Sequence, residues 1–135
     1  MTHKFRAWDK HGQKMFANDE LIIWNGNVYA NDSKKLTCNY LKGWTIDDKY
    51  LMQSTGIRDM NNREIFEGDV VRQVRTQPTT ENEIITGVVT MIEGTWLIMN
   101  DNEQLASKLW SETDENEIIG NIYENKDILE DKKWN

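Results

Sequence analysis

Short apolar runs separated by tight polar corners leave this chain little room for anything but antiparallel strands. LIIW and NVYA flank Asn25-Gly26, a dipeptide suited to the two left-handed positions of a type I′ hairpin turn. KFRAW and QKMF flank DKHG, where Gly12 is expected to supply a positive φ. EIITGVVTMI is rich in β-branched residues and reads as a long strand, with Gly87 predicting a bulge or bend inside it. Glu93-Gly94 then turns the chain into TWLIM, a natural antiparallel partner. Val70 to Arg75 reads as a further strand opened by the Gly68-Asp69 corner, and LTCNYLKGW as a strand ending near Gly43. Hairpins in succession at this spacing favour a small barrel or sandwich over a βαβ fold.

Helical periodicity is confined to the last third. In DNEQLASKLW, Leu105 and Leu109 stand four apart behind Asp101 and Asn102 as candidate caps, which predicts a helical segment. Asn125 is a candidate cap for a last turn through KDILEDKKW. The expected fold is therefore mainly β: a small SH3-like barrel over residues 51–135, an N-terminal β-hairpin extension over 1–50, and a short C-terminal helical segment. Together these form a single domain over 1–135.

Composition narrows the function classes. Residues of hydrophobic type make up 38% of the 135, with six Trp, so a real core is expected despite a mean hydropathy of -0.75. Net charge is -7, unevenly spread. Residues 1–50 carry eight Lys/Arg against six Asp/Glu (+2), residues 51–100 four against seven (-3), and residues 101–135 four against ten (-6). That balance disfavours generic binding to a nucleic-acid backbone. The single cysteine, Cys38, suits a reducing compartment, and no run is apolar enough for a signal peptide or a membrane span, so a soluble cytoplasmic protein is expected.

Enzyme motifs are missing. The sequence contains no GxSxG, no GxxxxGK[ST] and no GxGxxG, and so offers no nucleophile elbow and no phosphate-cradling loop. No cofactor is indicated. His3 and His11 do not form zinc-ligand spacing with Cys38; His11 reads as a turn residue and Cys38 as a core thiol. Glu67 and Asp69 would share a face at period two if extended, and could then hold a divalent cation. Turn chemistry selects the same residues, with Asp69 bonding nearby backbone amides, and that reading is favoured.

Three blocks carry a family resemblance: KFRAWDKHGQKM, LMQSTGIRDMNNREIFEGDVV and EIIGNIYENKDIL. In this order they resemble the signature of the YopX family of phage and prophage proteins. Within them, Trp8, Asp9, Gly56, Asp59, Gly68, Asp69, Gly120, Asn121 and Tyr123 are the signature positions. Two departures stand out. Asn61-Asn62 replaces an Asn-Gly turn, which Asn tolerates at positive φ, and Lys126 replaces a proline that would favour a terminal helix. The resemblance implies a phage or prophage origin and a mostly β, barrel-like fold, but no catalytic or binding residues.

Two functions follow as expectations: a non-enzymatic module that contacts an unknown protein partner or self-associates, and a nucleic-acid-binding β-barrel, which the net charge disfavours. A metal-dependent enzyme using Glu67 and Asp69 is the third and least favoured. The six Trp support interfaces more than a base-stacking platform.

Overall fold

The computed structural model describes residues 4–24, 27–30, 45–75, 83–111 and 114–125. The chain divides into two compact units, Met1–Gln53 and Ser54–Asn135. Each is built of antiparallel ladders. Among the described residues, helix is limited to two 3-10 turns, Asn18–Glu20 and Asp48–Tyr50. No helix there is long and apolar enough to cross a membrane.

In the first unit, β1 (Phe5–Asp9) pairs β2 (Lys14–Phe16), with Ala7 opposite Phe16. β3 (Leu21–Trp24) and β4 (Asn27–Ala30) form the hairpin expected around Asn25-Gly26; the turn itself lies outside the described residues. β4 continues to β5 (Thr45–Ile46), and β1 also pairs the first residues of β6 (Leu51–Arg58). Ala7, Phe16, Val28 and Ile46 are buried together, with Leu21, Tyr50 and Leu51 packed against them.

The second unit takes the rest of β6, which pairs β7 (Glu64–Phe66) with a register shift between Ser54 and Arg58. Its five-stranded sheet joins β8 (Asp69–Arg75), β9 (Glu83–Ile92), β10 (Thr95–Asn100), β11 (Leu105–Lys108) and β12 (Asp114–Asn121). The spatial order is β11-β10-β9-β8-β12. Two strands separate β8 from β11 in that order, yet the Gln73 side chain on β8 donates to the Lys108 carbonyl at 3.0 Å. The sheet must therefore curl on itself. Ile65, Val71, Val89, Ile98 and Leu109 fill the concavity, with Ile57, Trp96 and Ile118 packed against them. Truncating a fully buried member such as Ile98 to Ala should cost about 2–5 kcal/mol.

Several sequence expectations need correction. DNEQLASKLW holds no helix: a turn over 101–104 leads into β11. A spacing of four fits a strand face as well as a helix, and Leu105, Ser107 and Leu109 lie two apart along an extended segment. Gly12 does not take the positive φ in the first hairpin, which falls to Gln13 (φ 53). Its role is space, because a Cβ on Gly12 would lie 2.7 Å from Asp9 Oδ2. Gly87 brings no bulge, as the β8–β9 register runs through it unbroken. There a Cβ would lie 2.5 Å from the Met99 carbonyl oxygen, so the glycine admits the neighbouring backbone. The strand read in LTCNYLKGW, Cys38, His3 and the last helical turn after Asn125 fall outside the described residues.

Candidate functional site

The signature residues of the sequence are found at corners. Trp8 and Asp9 are both buried at the end of β1. Asp9 Oδ1 accepts the His11 amide at 3.1 Å, which makes DKHG an Asx-type turn and places His11 in it, exposed. Beside this turn a cleft of about 280 Å3 includes Ile46, Lys49 and Tyr50. Its charges are mixed: Lys49 lies 4.0 Å from Asp47 and over the Tyr50 ring.

Asp59 organises the corner between β6 and β7. Its Oδ1 accepts the amides of Asn61 (3.0 Å) and Arg63 (2.9 Å), and Oδ2 accepts the Ile118 amide (3.0 Å) and Arg63 Nη2 (3.1 Å). Arg63 also donates to the Ile118 carbonyl at 2.7 Å, and the Met60 amide to the Asn116 carbonyl at 2.8 Å. One turn thereby caps the outer edge of β12. Burial pushes the Asp59 carboxyl upward, but the amides of Ile118, Arg63 and Asn61 and the Arg63 charge outweigh it and hold the group below its ordinary value. Asn62 has φ 64, so the second Asn of the pair supplies the left-handed residue this turn requires. Gly56, at φ 75, bends β6 upstream of it.

The other signature residues of this unit meet at the C-terminal end of β12. Gly68 (φ 86) donates its amide to the Val89 carbonyl and accepts the Ile122 amide at 3.0 Å. Asp69 is buried, lies opposite Asn121 in the ladder, and accepts the Phe66 amide at 2.8 Å. That bond commits one carboxylate oxygen to turn chemistry, as the favoured reading of Glu67-Gly68-Asp69 required. Asn121 Oδ1 accepts the amides of Tyr123 (3.0 Å) and Glu124 (2.8 Å), closing the turn after β12. A Cβ on Gly120 would meet Asn125 Oδ1 at 2.7 Å, and the β12 register shifts between Ile118 and Gly120. The central and closing blocks of the sequence signature are thus two halves of one joint. Among the described residues, no cluster of three His, Cys, Asp or Glu could hold a metal ion.

Two of the signature residues, Gly56 and Asp59, also line a groove of about 560 Å3 in the second unit. Gly56 to Met60 make one wall and Asp114 to Asn116 the other, with Trp110 and Ser111 at the end. Trp110 is 61% exposed and Met60 58%, the two most exposed large apolar side chains among the described residues. The backbone beneath Trp110 is fixed on both sides. The Leu109 amide donates to the Trp96 carbonyl at 3.0 Å, and the Leu109 carbonyl accepts Asn116 Nδ2 (2.8 Å) and Gln73 Nε2 (3.3 Å). Gln73 Nε2 also reaches Asn116 Oδ1 at 3.0 Å, and its Oε1 accepts the Ser107 hydroxyl at 2.7 Å. Gln73, Asn116 and Ser107 are all buried, so this amide cluster sits inside the sheet and holds the segment that presents Trp110.

None of Gln73, Asn116 or Trp110 was picked out from the sequence. A signal existed for Gln73 alone, a polar residue two positions from Val71 on a strand's inward face.

Comparison with known proteins places this architecture. The family model described as YopX protein matches residues 4–130. A crystal structure of protein EF1440 from Enterococcus faecalis is similar with a TM-score of 0.57 and 23% identity, over 96% of this chain and 99% of that one. Protein yopX from Bacillus subtilis is similar with a TM-score of 0.57 and 17% identity, over 91% of this chain and 94% of that one. No match is found among curated proteins. At these identities the two structures speak for the fold alone, whereas the family model spans nearly the whole sequence. The chain belongs to the YopX family.

Proposed function

We propose that this protein is a non-enzymatic interaction module, an accessory protein of phage or prophage origin acting in the bacterial cytoplasm. The observation that carries the reading is the groove beside Trp110. Two exposed apolar side chains stand over a wall of backbone and carboxylates, on a segment clamped from within. Aromatic anchors on a hydrogen-bonded backbone are what protein interfaces use, because less backbone freedom is lost on binding. The curled five-stranded sheet is read as an SH3-like barrel, a scaffold suited to presenting such a site on its rim. The family's signature residues support the same reading from the other side: those described here close turns and join strands.

The nucleic-acid alternative has less support. Exposed Trp110 could stack a base, but its neighbours Asp114 and Glu115 repel phosphate. The test is purification of the tagged full-length chain from a bacterial host, with and without nuclease treatment. A stoichiometric protein partner that survives nuclease is expected. Recovery of nucleic acid alone, lost on treatment, would favour the alternative and overturn the module reading.

A further inference from the structure

We propose that the groove between Gly56–Met60 and Asp114–Asn116 takes a cationic peptide segment, with an arginine or lysine side chain laid over Trp110. This deepens the interaction-module reading and rests on it. Three observations select the chemistry. Trp110 is 61% exposed, and indole rings attract guanidinium and ammonium groups. Asp114 and Glu115 line the adjoining wall, and Glu115 is exposed. The lining cation is Arg58, whose Nη1 donates to the Asn62 carbonyl at 2.9 Å. Asp59 also lines the groove, but its charge is matched by Arg63. The charged residues that line the groove, Arg58, Asp59, Asp114 and Glu115, sum to -2, or -1 with Arg63 included, a weakly acidic balance.

The wider field points the same way. The described residues 101–111 and 114–125 carry one Lys against six Asp/Glu, a balance that speeds the approach of a basic segment. Met60 on the opposite wall supplies an adaptable apolar contact, suited to an aliphatic neighbour of the cation. Fixation of Leu109 through its amide and carbonyl reduces the backbone freedom that would be lost when a partner engages Trp110. Gln73 and Asn116 are positioning residues in this arrangement: they do not contact the cation but hold the segment that does.

The experiment is selection from a random peptide library displayed on yeast, panned against the immobilised full-length chain at about 0.15 M salt. Enriched peptides should carry Arg or Lys beside an aliphatic or aromatic residue. A synthetic peptide from that pool should lose about tenfold in affinity on Trp110→Ala and about threefold on Glu115→Gln. Trp110 is exposed, so an unchanged melting temperature will show that its variant is folded. Met60→Ser gives a second folded variant and should weaken binding less. Acidic or purely apolar peptides, no enrichment, or undiminished binding to Trp110→Ala would each overturn the proposal. Self-association of the chain that Trp110→Ala abolishes would also overturn it, by assigning the groove to a second copy. A co-purifying partner that still binds Trp110→Ala fully would remove this site while leaving the module reading intact. Cationic enrichment without any co-purifying partner would do the reverse.

Discussion

Two polar clusters hold the second unit together, and they differ in almost every physical respect. The Asp59 cluster is ionic, lies at a strand edge, and is assembled mostly from its own turn: two of its four donors come from Arg63, four residues away, and one from Asn61. The Gln73 cluster contains no carboxylate: its buried side chains are uncharged, the Arg75 guanidinium joins it at Ser107, and Gln73's own bonds span 34 to 43 positions. One closes a corner with a charge; the other fixes an interior with amides. A carboxylate titrates in the acid range and amides do not, so the two can be separated experimentally.

The largest stability effect is expected for Asp59→Ala. It removes the acceptor for three backbone amides and one guanidinium N–H, and urea unfolding should show a loss of about 3 kcal/mol. Gln73→Leu keeps the volume but leaves the Ser107 hydroxyl and the Asn116 amide short of partners. A smaller loss, about 2 kcal/mol, should appear in the same assay. If the order were reversed, the interior amides and not the charged corner would dominate.

pH sharpens the contrast further. The folded-state pKa of Asp59 lies below its ordinary value of 3.8, so its contribution is complete above that value and disappears as pH falls through the lowered one. Wild type should therefore lose stability more steeply below pH 3.8 than Asp59→Asn, which has no such charge to lose. Gln73→Leu should track wild type across the same range. Parallel curves for wild type and Asp59→Asn would remove the ionic role of the corner.

The smallest effect is expected at Gly56. Nothing lies within 4 Å of a Cβ built there, so Gly56→Ala meets only the conformational penalty of its φ of 75. That amounts to about 1 kcal/mol in thermal melts. A much larger loss would show that the β6 bend and the Asp59 corner are strained together.

The same contrast explains what the sequence revealed. Corners were legible because their chemistry is local. Asp59 and Asp69 each accept amides within four residues, Asn62 takes a left-handed φ, and Gly68 has φ 86. Hairpins were legible too, since β-branched runs bounded by Asn-Gly and Glu-Gly leave few alternatives. β11 was hidden because Leu105 and Leu109 fit either period, and only the ladder to β10 decides between them. The groove was hidden for a related reason. Trp110 gains its meaning from Gln73 and Asn116, whose partners are defined only once the sheet has curled.

The most direct measurement is titration of a selected cationic peptide into wild type and Gln73→Leu, with near-UV circular dichroism verifying the folded state of the variant. Every groove-lining side chain survives this substitution, while the Leu109 carbonyl loses one of its two side-chain donors and Lys108, Ser107 and Asn116 each lose a Gln73 partner. Several-fold weaker binding with an unchanged preference for Arg or Lys is the expected result. Equal affinity in the folded variant would contradict the claim that the buried amides hold Trp110 ready for its partner.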